Sequence, residues 1–66
     1  MSTFGQNVVK ARVDKQWKQK DLQAATQLSQ RYLSALEHDK VDLRLSIVRR
    51  IARALNVRLD TLVPED

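Results

Sequence analysis

Apolar residues in this chain recur every three or four positions, and the pattern is broken at short intervals. Leu45, Val48, Ile51, Ala52 and Leu55 are the clearest run. That spacing is the period of an α-helix; a half-buried strand would alternate apolar and polar residues instead. Val and Leu are plentiful, but nowhere do they alternate in strand fashion. One Gly and one Pro in the whole chain are too few for a protein built of hairpins, whose turns want both. The expected fold class is therefore all-α, a compact bundle of about five short helices. The length, 66 residues, allows one domain over residues 1–66. A chain near that size buries only about 60% of its unfolded surface and gains from pairing with a second copy.

Local signals place the helices. Thr3 followed by Gln6 has capping-box spacing, so the first helix starts after Thr3 and runs to about Asp14 or Lys15. Phe4, Val8 and Ala11 share one face; Val9 and Val13 form a second apolar pair. Trp17 follows at the break, large enough to plug the space between the first two helices, with an indole N–H that needs a partner if buried. Residues 19–26 read as a second helix with Leu22 and Ala25 facing in. Ser29 is a good N-cap for a third helix, and Leu28 and Leu33 flank it with hydrophobic-staple spacing. Leu33 and Leu36 continue the buried face until Asp39, a residue tolerant of the left-handed conformation, ends the helix. Residues 40–44 form a loop, the Leu45–Leu55 pattern a fourth helix ended by Asn56. Leu59 and Leu62 mark a last helical turn that closes the core, stopped by Pro64.

Several function classes drop out. With no Cys and one His, the chain has no disulfide and no credible zinc site. It shows no Gly-rich phosphate loop and no Ser/His/Asp grouping, so neither enzyme activity nor a cofactor is expected. Asp60, Glu65 and Asp66 are scattered acids near the end, not an acid–base pair. No apolar run approaches the roughly 20 residues of a membrane span, and the start lacks a signal-peptide block, so a cytoplasmic protein is expected. The net charge of +4 leans towards a polyanionic partner.

Two short helices joined by a short break, the second capped by Ser, make a helix-turn-helix candidate over about residues 19–38. In such a motif the second helix enters the major groove of double-stranded DNA. The positions opposite Leu33 and Leu36 are Gln30, Arg31, Ser34 and Ala35. Gln can bridge adenine N6 and N7, Arg can bridge guanine O6 and N7, and a methyl such as that of Ala35 can touch a thymine methyl.

Taken in order, Phe4-Gly5, Arg12, Trp17-Lys18-Gln19, Leu22-x-x-Ala25, Leu28-Ser29-Gln30, Leu33-Ser34-x-Leu36-Glu37 and Ile51-Ala52-x-Ala54-Leu55-x-Val57 resemble the phage repressor and Cro-type helix-turn-helix family, the Xre family, over residues 4–63. The resemblance implies a lambda-repressor-like fold and specific roles. Gln19 contacts a phosphate and braces Gln30. Arg12 and Glu37 form a largely buried structural ion pair. Chain departures sit in the turns: Gln27 stands where the family usually has Gly, which costs roughly 1 kcal/mol if that site needs positive φ. Lys18 replaces a Ser or Thr cap, Asp39 a Gly, and Leu43 a common Pro.

Phosphate contacts are expected from the loop after the third helix, at Lys40 and Arg44; Tyr32 reads equally as a further phosphate contact through its hydroxyl or as a half-buried spacer. Lys18 and Lys20 lie near in sequence to the same backbone. His38 reads as a solvated helix end favoured by the dipole, or else a phosphate contact, and Arg49, Arg50 and Arg53 as a solvated outer face of the fourth helix, with dimer salt bridges and outer phosphate contacts as the alternatives. One recognition helix reads only about 4–6 base pairs, so a homodimer on a palindromic site is expected. The related domains pair through their last helix, which implies Val57, Leu59, Thr61, Leu62 and Val63 as dimer candidates. No small-molecule ligand and no membrane partner is expected. The function expected is a sequence-specific transcriptional regulator, such as a Cro-like repressor or a restriction–modification controller-like autoregulator. The competing reading is an antitoxin-like interaction module that binds DNA with a protein partner, which an exposed patch of Val9, Val13 and Ile47 would favour.

Overall fold

The first helix begins where Thr3 caps it. The Thr3 hydroxyl accepts from the Gln6 N–H at 3.2 Å, and the Gln6 side chain accepts from the Thr3 N–H at 3.0 Å. A computed structural model describes residues 3–64. Its elements are α1 (Phe4–Asp14), α2 (Gln19–Thr26), α3 (Gln30–Glu37), α4 (Leu45–Leu55) and α5 (Leu59–Leu62). Among the described residues there is no strand. Ser29 caps α3 by accepting from the Tyr32 N–H at 3.1 Å. Lys18, which opens α2, has no acceptor in its side chain. The carboxylate of Asp21 works in the opposite direction, accepting from the Lys18 N–H at 2.8 Å.

Each of the first four helices is followed by a non-glycine residue in the left-handed region. These are Gln16 (φ 62°), Gln27 (φ 61°), Asp39 (φ 59°) and Asn56 (φ 56°). The reversal lets the chain satisfy orphan carbonyls of the last turn. Thus the N–H of Trp17 reaches the carbonyl of Arg12 at 2.9 Å, that of Lys40 reaches Ala35 at 2.8 Å, and that of Val57 reaches Ala52 at 3.0 Å.

The chain spends its one Gly elsewhere. Gly5 sits in the first turn of α1 against the end of α3, where a Cβ would stand 2.5 Å from the Glu37 carbonyl oxygen and 2.7 Å from that of Leu36. No side chain fits without backbone movement, so glycine is what allows α1 to lie on the C-terminus of α3.

The core draws on all five helices: Phe4 and Val8, Leu22, Leu33 and Leu36, Val48, Ile51, Ala52 and Leu55, and Leu62. Here α2 packs on both α3 and α4, α1 lies on α3 and α5, and α5 closes against α1 and α4. Trp17 is half-buried against this core, with Lys15 Nζ 5.0 Å from its ring centre. Three expectations about the core are corrected. Ala25 is exposed, and Thr26 is buried in its place. The Thr26 hydroxyl donates to the Leu22 carbonyl at 2.7 Å, which leaves a methyl to pack. Leu45 is 60% exposed because it opens α4 ahead of Ile47 and Val48, where the helix first meets the core. Leu59 is 37% exposed at the start of α5, and Leu62 alone of that pair closes the core.

Candidate nucleic-acid interface

The inward pull of Leu33 and Leu36 sets the roll of α3 and turns its other arc outward. Gln30, Arg31, Ser34, Ala35 and His38 lie on that arc and line one shallow hollow with Lys40. Gln30, Arg31, His38 and Lys40 are exposed; Ser34 and Ala35 are half-buried and form the floor. Lys40 belongs there because its N–H is tied to the Ala35 carbonyl, which folds the loop back beside the helix end. His38 Nδ1 lies 2.8 Å from the Ser34 carbonyl oxygen. A carbonyl only accepts, so that nitrogen carries the proton. The hollow thus offers an amide with donor and acceptor ends, a guanidinium fork, a methyl floor and a flexible ammonium at the rim. These are the groups that match base edges and an adjoining phosphate.

Tyr32 and Arg44 stand apart from that arc. They line a second hollow with Leu28, Ser29, Val41 and Ile47, where the first turn of α3 meets the loop before α4. A helix start directs N–H groups outward and favours an anion, so a hydroxyl and a guanidinium at its side suit a phosphate. Of the residues singled out in the sequence, the structure therefore joins Gln30, Arg31, Ser34, Ala35 and Lys40 in one hollow and Tyr32 with Arg44 in another.

Gln19 joins neither. The brace to Gln30 is not made among the described residues; the Gln19 amide nitrogen donates to Glu37 Oε1 at 3.2 Å. The cause is the burial of Glu37, whose side chain is 6% exposed. A buried carboxylate must be met by donors. Arg12 supplies Nε to Oε2 at 2.9 Å and Nη2 to Oε1 at 3.4 Å, and Gln19 supplies the third bond. Arg12 in turn donates from Nη1 to the Trp17 carbonyl at 3.0 Å. The network ties the ends of α1, α2 and α3 together behind the outward arc. Among the described residues no buried side-chain polar atom lacks a partner.

One contact supporting α3 has no local signal in the sequence. Asp39, turned by its left-handed backbone, accepts from the Thr3 hydroxyl and from the Gly5 N–H, the latter at 2.9 Å. The Thr3 hydrogen bond, then the Gly5 one, hold its carboxyl below the ordinary carboxylate value. The residue that stops α3 therefore also pins the start of α1.

The remaining candidates fall elsewhere. Arg49, Arg50 and Arg53 are exposed on the outer face of α4. Of the five C-terminal positions, Leu62 is fully buried and unavailable to a partner, and Val57 is half-buried on the core. Leu59, Thr61 and Val63 are exposed. Of Val9, Val13 and Ile47, only Val13 is exposed, and Ile47 packs on the core. Among the described residues no group of three His, Cys, Asp or Glu is placed to hold a metal ion, and no helix is long and apolar enough to cross a membrane.

Residues 8–62 match a helix-turn-helix family model. The chain is also similar to a crystal structure of the hypothetical transcription factor NHTF from Neisseria. The two share 32% identity at a TM-score of 0.84, over 92% of this chain and 71% of that one. Among curated proteins no match was found.

Proposed function

The chain belongs to the helix-turn-helix family, and from that premise we propose that it is a sequence-specific DNA-binding transcriptional regulator. The observation that carries this reading is the single outward hollow of α3, where Gln30, Arg31, Ser34 and Ala35 meet Lys40. In this reading the N-terminal part of α3 enters the major groove, Gln30 and Arg31 address base edges, and Ala35 packs on a thymine methyl. Lys40 holds one phosphate. Tyr32 and Arg44 hold another beside the start of α3. Gln19 acts from behind through Glu37.

The protein works as a homodimer on a palindromic operator, its half-sites about one helical turn apart. The exposed side chains of Leu59, Thr61 and Val63 at α5 support a pairing surface there. A small regulator of this design suits a Cro-like or controller-like autoregulatory circuit, in which occupancy follows protein concentration.

The test compares Arg31→Ala with Lys40→Ala on a panel of duplexes. Arg31→Ala costs about 1–3 kcal/mol on the preferred site and relaxes selectivity at one base pair. Lys40→Ala weakens all sites alike and lowers the salt slope by about one. Equal weakening on every sequence by Arg31→Ala would move Arg31 from base to phosphate and remove its part in this reading.

A further inference from the structure

Helix α4 carries three arginines and no acid. Arg49, Arg50 and Arg53 are all exposed, and the ion pairs among the described residues are Arg12–Glu37 and Arg58–Asp60. The arginines line a groove between α2 and α4 whose other walls are Ala25, Ser46 and Ala54. Arg49 and Arg53 stand four positions apart, and Arg50 and Arg53 three. Like charges at those spacings repel, whereas a merely solvated face usually mixes signs. The face is thus a concentrated positive site that nothing within the described fold neutralises.

A guanidinium fork matches carboxylates and phosphates alike. The lining of the groove favours carboxylates carried by a protein. The groove has methyl groups of Ala25 and Ala54 beside its charges, and a polypeptide can present an apolar side chain between carboxylates where a sugar-phosphate strand cannot. In addition, the groove shares no lining residue with the hollow of Gln30, Arg31 and Lys40, and α2 packs against both α3 and α4. The geometry points to the α2–α4 groove as a docking site for an acidic segment of a partner protein, one that engages while α3 is on DNA. Only the simultaneity rests on the DNA-binding reading; the groove's preference for carboxylates does not.

The experiment titrates the full ¹⁵N-labelled chain with a synthetic peptide rich in Asp and Glu around one Leu, alone and with the chain saturated by duplex DNA. The expected result is amide shifts at residue 25 and residues 46–54, retained in the presence of duplex. Arg49→Glu/Arg53→Glu weakens the peptide by about tenfold or more and leaves the salt slope of duplex binding unchanged. Arg49→Gln/Arg53→Gln weakens it in the same direction, and the spectrum of each variant reports its fold. Displacement of the peptide by duplex overturns the proposal, as does a variant whose duplex affinity falls with a salt slope shallower by about two, because the arginines would then be phosphate contacts. Shifts spread equally over the α3 hollow would show unspecific attraction and also overturn it. A chain that binds no duplex refutes the DNA-binding reading and leaves the peptide titration to decide the groove.

Discussion

Gln27 shows what the turn of a helix-turn-helix costs when no glycine occupies it. Its φ of 61° puts a Cβ where the left-handed backbone disfavours one, at about 1–2 kcal/mol. Asp39 and Asn56 bear the same conformation more easily, because short polar side chains bond locally. Gln27→Gly is therefore expected to stabilise the protein by roughly 1 kcal/mol, less what glycine loses in the unfolded chain. Equilibrium urea unfolding checks this, and an unchanged or lower midpoint would contradict it. Gly5 is the converse case: it stays glycine not for its φ but because two carbonyl oxygens leave no room for a Cβ. In the candidate interface, Ser34 and Ala35 matter by being small. They form the floor that lets Gln30, Arg31 and Lys40 stand around an open hollow.

The outward arc of α3 is held by its attachments, and these differ in how they answer to acid and to mutation. The Arg12–Glu37 pair is largely buried, with side chains 15% and 6% exposed. Glu37→Ala strands the guanidinium and should cost about 3–5 kcal/mol. The double variant Arg12→Met/Glu37→Leu should recover much of that loss. A single variant within about 0.5 kcal/mol of the parent would show that the network does not hold α3. The Asp39 clasp gives a pH signature. Its folded carboxyl titrates below the ordinary carboxylate value of 3.8. Its contribution is therefore complete above that value and is lost as pH falls through the lower folded one. Asp39→Asn keeps an acceptor and tolerates the turn but removes the charge, so the fall in stability below about pH 4 should become shallower. A variant with the parent's acid limb would sink this assignment.

The same elements show what was readable in advance. Helix spans followed from Thr3, Ser29 and the Leu45–Leu55 pattern, because caps and helical periodicity are local. The shared arc of Gln30, Arg31, Ser34 and Ala35 followed from the period alone. Partners distant in sequence did not follow. Nothing near Asp39 announces Gly5, and nothing near Gln19 shows that it turns to Glu37 rather than Gln30. The exchange of Ala25 for Thr26 was hidden because a threonine that returns its hydroxyl to the backbone packs like an apolar residue.

Among the described residues, five short helices enclose one apolar core and leave several distinct surfaces. The α3 hollow gathers an amide, a guanidinium and an ammonium, the α2–α4 groove carries unopposed arginines, and α5 exposes Leu59, Thr61 and Val63. A chain this small gains from pairing, and the proposed pairing also doubles the length of DNA it can read. Both properties meet in one experiment, a selection by the purified chain from random duplex DNA at defined salt. The reading argued from α3 predicts an enriched palindrome whose half-sites lie about one helical turn apart. Uniform, salt-sensitive binding with no enriched sequence would contradict it, because the hollow of Gln30, Arg31, Ser34 and Ala35 would then contact DNA without reading it.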